Sequence, residues 1–435
     1  MKIIVKISPV LISVIMFACT ASYKIKKAAK KDILQNETFT SAHTGISIYE
    51  PATGKYWYNY QGDKYFVPAS NTKLFTCYAA MKYLGDSITG LKYRETNDTL
   101  FIMPVGDPTF LGSDFVNQPV YDFLKNTHKV IVLNTWLWKE SRWGNGWAWN
   151  DYNDDYDAER SVMPAYENLA TFSNDSKGIT VSPSYFLNKI IYQTDTGQNL
   201  QTTIRRDIAS NTFFVSKKAM LQRPLVVPFY TGADSILIDI LKDTLHKNIY
   251  MYSTTNNNVN NWQELKSQPT DSLLKITMHR SDNFFAEQSL LMVSAKLLNE
   301  LNDEKIIDTL LKTDYKDLPQ KPHWVDGSGL SHYNLFSPRD FVTLLNKMKN
   351  DFGMDRIKQI LPTGGTGTLS NYYKKESGFI FAKTGSLSGV IALSGFLYTK
   401  KNKLVIFSFL VNNYHASGNV RKGIEKFIEE VRNKN

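Results

Sequence analysis

The chain has 435 residues, too many for one ordinary domain, and its 42% hydrophobic and 21% charged content belongs to packed globular chains rather than disordered ones. Its 51 basic against 41 acidic residues leave a net charge of +10, modest for this length. Apart from one block, Lys24 to Lys31, the basic residues are scattered, whereas a nucleic-acid-binding chain concentrates them along one face, so no nucleic-acid partner is expected.

The first predicted element is a leader. "MKIIVKISPVLISVIMFAC" sets Lys2 and Lys6 before an uncharged run, Ile7 to Ala18. That is the order of a secretory signal, and the run falls short of the roughly 20 residues that cross a bilayer. Ala18-Cys19 resembles a bacterial lipoprotein cleavage site. Cys19 is therefore a lipidation candidate, with ordinary secretion as the alternative, and the expected location is the bacterial envelope or periplasm. Residues 1–31 are expected to be signal and basic tether. Cys77 is then alone, as a small core residue, and no framework disulfide is expected.

Next, "HTGISIYEPATGKYWYNYQGDKYF" alternates and breaks at Pro51-Ala52-Thr53-Gly54, the pattern of a hairpin. In "LFTCYAAMKYLG", Leu74, Cys77, Tyr78, Met81 and Leu84 recur at helical spacing and Gly85 supplies a stop. Ser70 opens this helix, with Lys73 three residues on and on the same face. Between residues 86 and 264 helical periodicity fades. "THKVIVLNTWLW" and "RPLVVPFYTG" read as strands, "GADSILIDILKDTL" as a helix and "NNNVNN" as a loop. This stretch is expected to be an inserted, mainly β module, in one or two subdomains. Helical texture returns in "DSLLKITMHRSDNFFAEQSLLMVSAKLLNEL", broken at Ser281-Asp282-Asn283. Three strands follow, "GFIFAKTG", "GVIALSGFLY" and "KLVIFSFLVNNY". A last helix carries Val420, Ile424, Phe427, Ile428 and Val431 on one face.

Three short motifs stand in order: Ser70-Asn71-Thr72-Lys73, Ser281-Asp282-Asn283 and Lys383-Thr384-Gly385. Such a trio marks class A β-lactamases and penicillin-binding proteins, and each part has a chemical reason. A serine hydroxyl attacks only when a base takes its proton. Lys73 can be that base only if burial or a second cation lowers its pKa, and Lys383 is a candidate second cation. Ser281 can relay the proton to the leaving group, and Asn283 can hold a substrate amide. Lys383 and Thr384 offer a charge and a hydroxyl to a substrate carboxylate. Gly385 permits close approach of the substrate backbone, and the N–H groups of Ser70 and Ser386 are the expected oxyanion hole. Singly the motifs are weak. Ser272-Leu273-Leu274-Lys275 and Ser417-Gly418-Asn419 repeat two of the patterns, but only Ser70 opens a helix after Pro-Ala and stands in order with the other two.

The chain resembles the D-alanyl-D-alanine carboxypeptidase/endopeptidases of the penicillin-binding protein 4 type, the low-molecular-mass class C penicillin-binding proteins. Beyond the trio, "YFVPASNTKLFT", "VGDPTF", "GNGWAW", "FYTGADSILIDIL", "LLKITMHRSDNFFAEQ", "DGSGLSHYNLFSP", "GTGTL" and "FAKTGSLSGVIALSGF" carry the resemblance over most of the mature chain. It departs from the family pattern in a short stretch between Gly85 and Gly106, in Phe110 after "GDPT" and in His332 after "DGSGLS". The resemblance implies an α/β fold: a transpeptidase/β-lactamase-like domain, with an antiparallel sheet flanked by helices, formed by residues 32–85 and 265–435 and split by the module at 86–264. It implies a serine acyl-enzyme acting on peptidoglycan stem peptides, inhibited by β-lactams, without cofactor.

Three other readings compete. A β-lactamase, or a related esterase of the same fold, needs no module between Ser70 and Ser281, and a class A enzyme needs a positioned glutamate. Glu167 in "YENLA" is the one weak match and reads as chance. A catalytically silent envelope-binding lipoprotein has no need of Lys73. A metal site is not expected, since the seven histidines are scattered without ligand spacing. His323 and His332 flank "DGSGLS", which reads as a tight loop beside the groove. Trp147 and Trp149 of "GNGWAW" suit loop packing or sugar contact.

Overall fold

Every predicted strand near the two chain ends is drawn into one sheet. The computed structural model describes residues 22–176, 178–193, 204–216, 221–252, 261–415 and 417–434. Helix α1 (residues 22–29), a π-helical turn at Lys30–Leu34 and α2 (Glu37–Thr40) lead into β1 (His43–Glu50) and β2 (Lys55–Tyr60). A 3-10 turn, Ala69–Thr72, opens α3 (Lys73–Tyr83).

After α3 the chain leaves the central sheet. It forms β3 (Ser87–Glu95), β4 (Thr99–Pro104), α4 (Pro119–Asn126), β5 (Val130–Leu133), β6 (Leu169–Asp175), β7 (Gly178–Ser182) and β8 (Ile190–Gln193). Then come β9 (Ile204–Arg206), β10 (Phe213–Ser216), β11 (Leu225–Pro228), α5 (Asp234–Leu245), β12 (Ile249–Met251) and β13 (Gln263–Pro269). It returns through α6 (Thr270–Ile276), α7 (Asn283–Leu298), α8 (Asp303–Lys312) and α9 (Pro338–Ile360). β14 (Ile380–Leu387), β15 (Val390–Tyr398), β16 (Leu404–Asn412) and α10 (Ser417–Asn433) complete it.

The central sheet has the order β14-β15-β16-β1-β2, and all its pairs are antiparallel. β15 is buried along nearly its whole length because both faces are covered. One face packs on α3, α7 and α9 through Leu74, Phe75, Leu290, Phe341, Phe396 and Ile406. The other packs on α10 and α1 through Ile25, Ile46, Phe407, Val420, Ile424 and Phe427. The Ser70 helix and the last helix thus lie on opposite faces.

Three calls need correction or narrowing. The basic block is not a tether. Ile25, Ala28, Ala29 and Ile33 are buried against the sheet while Lys24, Lys26, Lys27, Lys30 and Lys31 face solvent. That is an amphipathic helix whose apolar stripe joins the core, and Asp32 ties it to Lys426 of α10 at 2.7 Å. Second, the chain leaves this stretch after Pro269 rather than at 265, because β13 pairs with β3 from Gln263 to Pro269, with register shifts after Leu265 and Lys266. Third, the mainly β stretch between holds parallel pairs, β4 with β5 and β5 with β12, and a second helix, α4, besides the expected α5. α4 is a short helix of 8 residues begun by Pro119 at its first position. "NNNVNN" and Cys19 lie outside the described residues.

Arg160 fastens this stretch to α7 and α8. It is fully buried and bonds Asp303 (2.6 Å), Glu140 (3.2 Å) and Glu287 (3.4 Å). Removing one partner of a buried ionic cluster leaves the others unpaired. Arg160→Met is expected to cost about 3–5 kcal/mol of unfolding free energy, read as a lower urea midpoint at unchanged slope.

Candidate active site

Ser70 lies in the 3-10 turn that opens α3, and the residue before it, Ala69, has a left-handed backbone (φ 47°). The Lys73 ammonium reaches back one turn to Ser70 Oγ at 2.9 Å. It also donates to Asn283 Oδ1 (2.6 Å) and to the Ser328 carbonyl (2.8 Å). Its three N–H groups therefore have three acceptors, although the side chain is completely buried.

Burial is the largest influence on Lys73 and pulls its pKa down to about 8, against the opposing pull of Asp326, Asp282 and Glu287. Of the two causes expected from the sequence, burial or a second cation, burial is the one that acts on Lys73. Lys383 is itself held well below the ordinary lysine value, by burial first and then by the charge of Lys73.

Ser281 closes a π-helical turn, Thr277–Ser281, and takes a left-handed conformation (φ 63°). Such strain in a residue with a side chain persists only where the surroundings enforce it. Asp282 caps α7, accepting from Phe285 N at 2.8 Å. The cap orients the next residue, Asn283, toward Lys73. Lys383 Nζ, from β14, donates to Ser281 Oγ at 2.8 Å and to the Thr384 carbonyl at 2.7 Å. The three motifs thus supply two lysine–hydroxyl pairs, Lys73–Ser70 and Lys383–Ser281.

β14 is the edge strand, and its outer N–H groups face away from β15. Ala382 N donates outward to the Pro362 carbonyl at 3.1 Å. With the two-residue repeat of a strand, Ser386 N shares that outward side. A Cβ on Gly385 would stand 2.7 Å from the Pro68 carbonyl and 3.1 Å from Ser70 N, so this position has no room for a side chain. The backbone N–H of Ser70 and that of Ser386 accordingly border one groove of about 320 Å³, lined also by Ser281, Thr384, Leu369 and Tyr372.

Several neighbours of this machinery carry no motif of their own. Asn283 was expected to hold a substrate amide, but its Nδ2 already donates to the Tyr156 carbonyl (2.9 Å) and its Oδ1 is taken by Lys73. The "DGSGLS" loop does more than border the groove. Asp326 accepts from Gly329 N, Ser331 N, Asn334 and Trp147, and Glu287 accepts from Ser328 N, which fixes the carbonyl that holds Lys73. Trp147 is thus engaged in packing, while Trp149 is exposed. His323 and His332 are exposed. Glu167 sits beside Arg280 (3.2 Å) and Ser113 N (3.3 Å), so its carboxylate has partners away from Ser70. Ser272 and Lys275 of the second S-x-x-K pattern are both exposed on α6.

The model of the D-Ala-D-Ala carboxypeptidase 3 (S13) family matches residues 26–434, from inside α1 to the end of α10. The chain belongs to that family. This carboxypeptidase is 23% identical to the D-alanyl-D-alanine carboxypeptidase DacB of Haemophilus influenzae over 410 residues, 82% of each chain. It is 24% identical to a D-alanyl-D-alanine carboxypeptidase of Actinomadura sp. over 444 residues, 88% of this chain and 80% of the relative. Its fold matches the crystal structure of penicillin-binding protein 4 from Haemophilus influenzae with a TM-score of 0.72 at 21% identity, covering 94% of this chain and 98% of that one. The S13 carboxypeptidase is a serine-type D-Ala-D-Ala carboxypeptidase of the penicillin-binding kind, with an α/β fold.

Proposed function

We propose that the enzyme removes terminal D-alanine from peptidoglycan stem peptides through an ester on Ser70. The observation that carries this is the 2.9 Å Lys73–Ser70 contact, made by a buried lysine whose pKa is lowered to about 8. Neutral Lys73 takes the Ser70 proton as Oγ attacks the carbonyl of the penultimate D-alanine. The N–H groups of Ser70 and Ser386 meet the oxyanion that develops. The C–N bond then breaks, and Ser281 gives its hydroxyl proton to the departing nitrogen while Lys383 restores it. Water hydrolyses the ester by the reverse sequence. Thr384 offers its hydroxyl to the substrate carboxylate.

β-Lactams enter the same groove in this reading. A β-lactam complex of the Haemophilus influenzae protein and a penicillin G-acylated endopeptidase of Bdellovibrio bacteriovorus, both of similar fold, support it. Endopeptidase action on cross-links uses the same groove and the same acyl-enzyme.

The test sets release of the C-terminal residue beside nitrocefin turnover on one preparation. D-Alanine release from a D-Ala-D-Ala peptide, with slow and saturable nitrocefin consumption, is expected. Fast, sustained nitrocefin hydrolysis without D-alanine would overturn the peptidase reading in favour of a β-lactamase. The engagement of Glu167 by Arg280 argues against that outcome.

The proposed location is the bacterial envelope, with Cys19 as lipid attachment point. Among the described residues no helix is long and apolar enough to cross a membrane. Cys19→Ala should move the protein from the membrane fraction to the soluble one. A wild type already soluble leaves only a cleaved signal. One acyl chain anchors weakly, so several are needed on that cysteine.

A further inference from the structure

The groove holds one cation that the acyl-transfer steps do not use. Gly385 turns its Cβ direction toward Pro68 and Ser70, on the α3 side of β14. By strand alternation Thr384 and Ser386 face the other side, toward α10. There Arg421, in the second turn of α10, donates from Nη2 to Ser386 Oγ at 2.7 Å. Arg421 lines the same groove as Ser70, Thr384, Gly385 and Ser386. Among the described residues it forms no ion pair. Glu425, one turn further along α10, is occupied by Tyr373 N at 2.9 Å.

A guanidinium bonded to a neutral hydroxyl and facing a substrate groove retains donors for an anion. The lysines are poorly placed for that task. Lys73 has three acceptors already, and Lys383 Nζ is engaged by Ser281 and the Thr384 carbonyl.

We propose that Arg421 is the cation that binds the substrate's terminal carboxylate, so that the C-terminal helix sets the requirement for a free C-terminus. The proposal rests on the D-Ala-D-Ala peptidase reading. The penultimate carbonyl, placed between Ser70 N and Ser386 N, leaves the last residue beside Thr384 and Ser386. Ser386 can accept from Arg421 while its hydroxyl donates a hydrogen bond to the carboxylate, and the Thr384 hydroxyl donates a second. The guanidinium fork matches a carboxylate in a way that an ammonium does not.

The experiment compares two peptides on the full-length enzyme, one ending in D-Ala-D-Ala with a free carboxylate and the other its C-terminal amide. kcat/KM for release of the last residue is measured for wild type, Arg421→Met and Arg421→Lys. The wild type should prefer the carboxylate by roughly 10- to 100-fold. Arg421→Met should lose most of that ratio, and Arg421→Lys should keep part of it. A ratio unchanged in Arg421→Met, with both peptides slowed alike or neither slowed, overturns the role of Arg421 and leaves the peptidase reading standing. The same holds if the wild type hydrolyses both peptides equally. If the wild type releases nothing from either peptide, the peptidase reading falls and the proposal with it.

Discussion

Ser70→Ala is expected to abolish the covalent adduct that penicillin forms with the wild type, as read by intact mass. The substitution removes the Oγ that Lys73 contacts at 2.9 Å and leaves the backbone N–H in place. Among the described residues, neither of the other two serines in such motifs is placed to replace it. Ser281 bonds Lys383 rather than Lys73, and Ser272, in the second S-x-x-K pattern, lies on an exposed helix face beside an exposed lysine. An adduct of unchanged mass in Ser70→Ala would remove Ser70 from its role. Peptide mapping of that adduct would then name the true nucleophile.

Lys73→Ala is expected to slow acylation by about 10²–10⁴-fold, the range for loss of a general base. The pH dependence carries the sign. Lys73 acts as a base only when neutral, and its pKa lies at about 8. Below that value the acylation rate of the wild type should climb about tenfold per pH unit and level off above it, since proton occupancy follows the pKa. Lys73→Ala should lack this limb. Lys73 also satisfies Asn283 Oδ1 and the Ser328 carbonyl, so its removal leaves buried acceptors unpaired. Lys73→Met, which keeps the volume, and a thermal melt of each variant separate instability from lost basicity. A rate within about threefold of wild type in folded Lys73→Met would exclude Lys73 as the base, because general-base removal costs far more.

The proposed catalytic groups were legible because the chemistry proposed for them needs particular residue types at short spacing. Ser70 and Lys73 lie one helical turn apart, and that turn alone brings Nζ to Oγ. Asp282 is a helix cap, and a cap is a local device that orients Asn283 whatever the rest of the chain does. The hairpin of β1 and β2, the three C-terminal strands and the stripe on α10 were readable for the same reason, since periodicity records which face is buried. The stripe of α1 and the turn after it was equally present in Ile25, Ala28, Ala29 and Ile33, but the lysines between them mask it.

Chain-distant contacts left no such trace. The amide of Asn283 is held by Tyr156, from the segment between the two parts of the catalytic fold, and Arg421 meets Ser386 only because α10 crosses the edge of the sheet. The depressed pKa of Lys73 is likewise a property of the closed fold, made by α3, α7 and the "DGSGLS" loop shutting out water around one ammonium. The sequence by itself determined which candidate groups stand at catalytic spacing and which short elements carry them, because those depend on neighbours within a turn or a hairpin. Tertiary structure alone decided what each group touches and how much charge it keeps, because desolvation and partner choice depend on atoms brought together from across the chain.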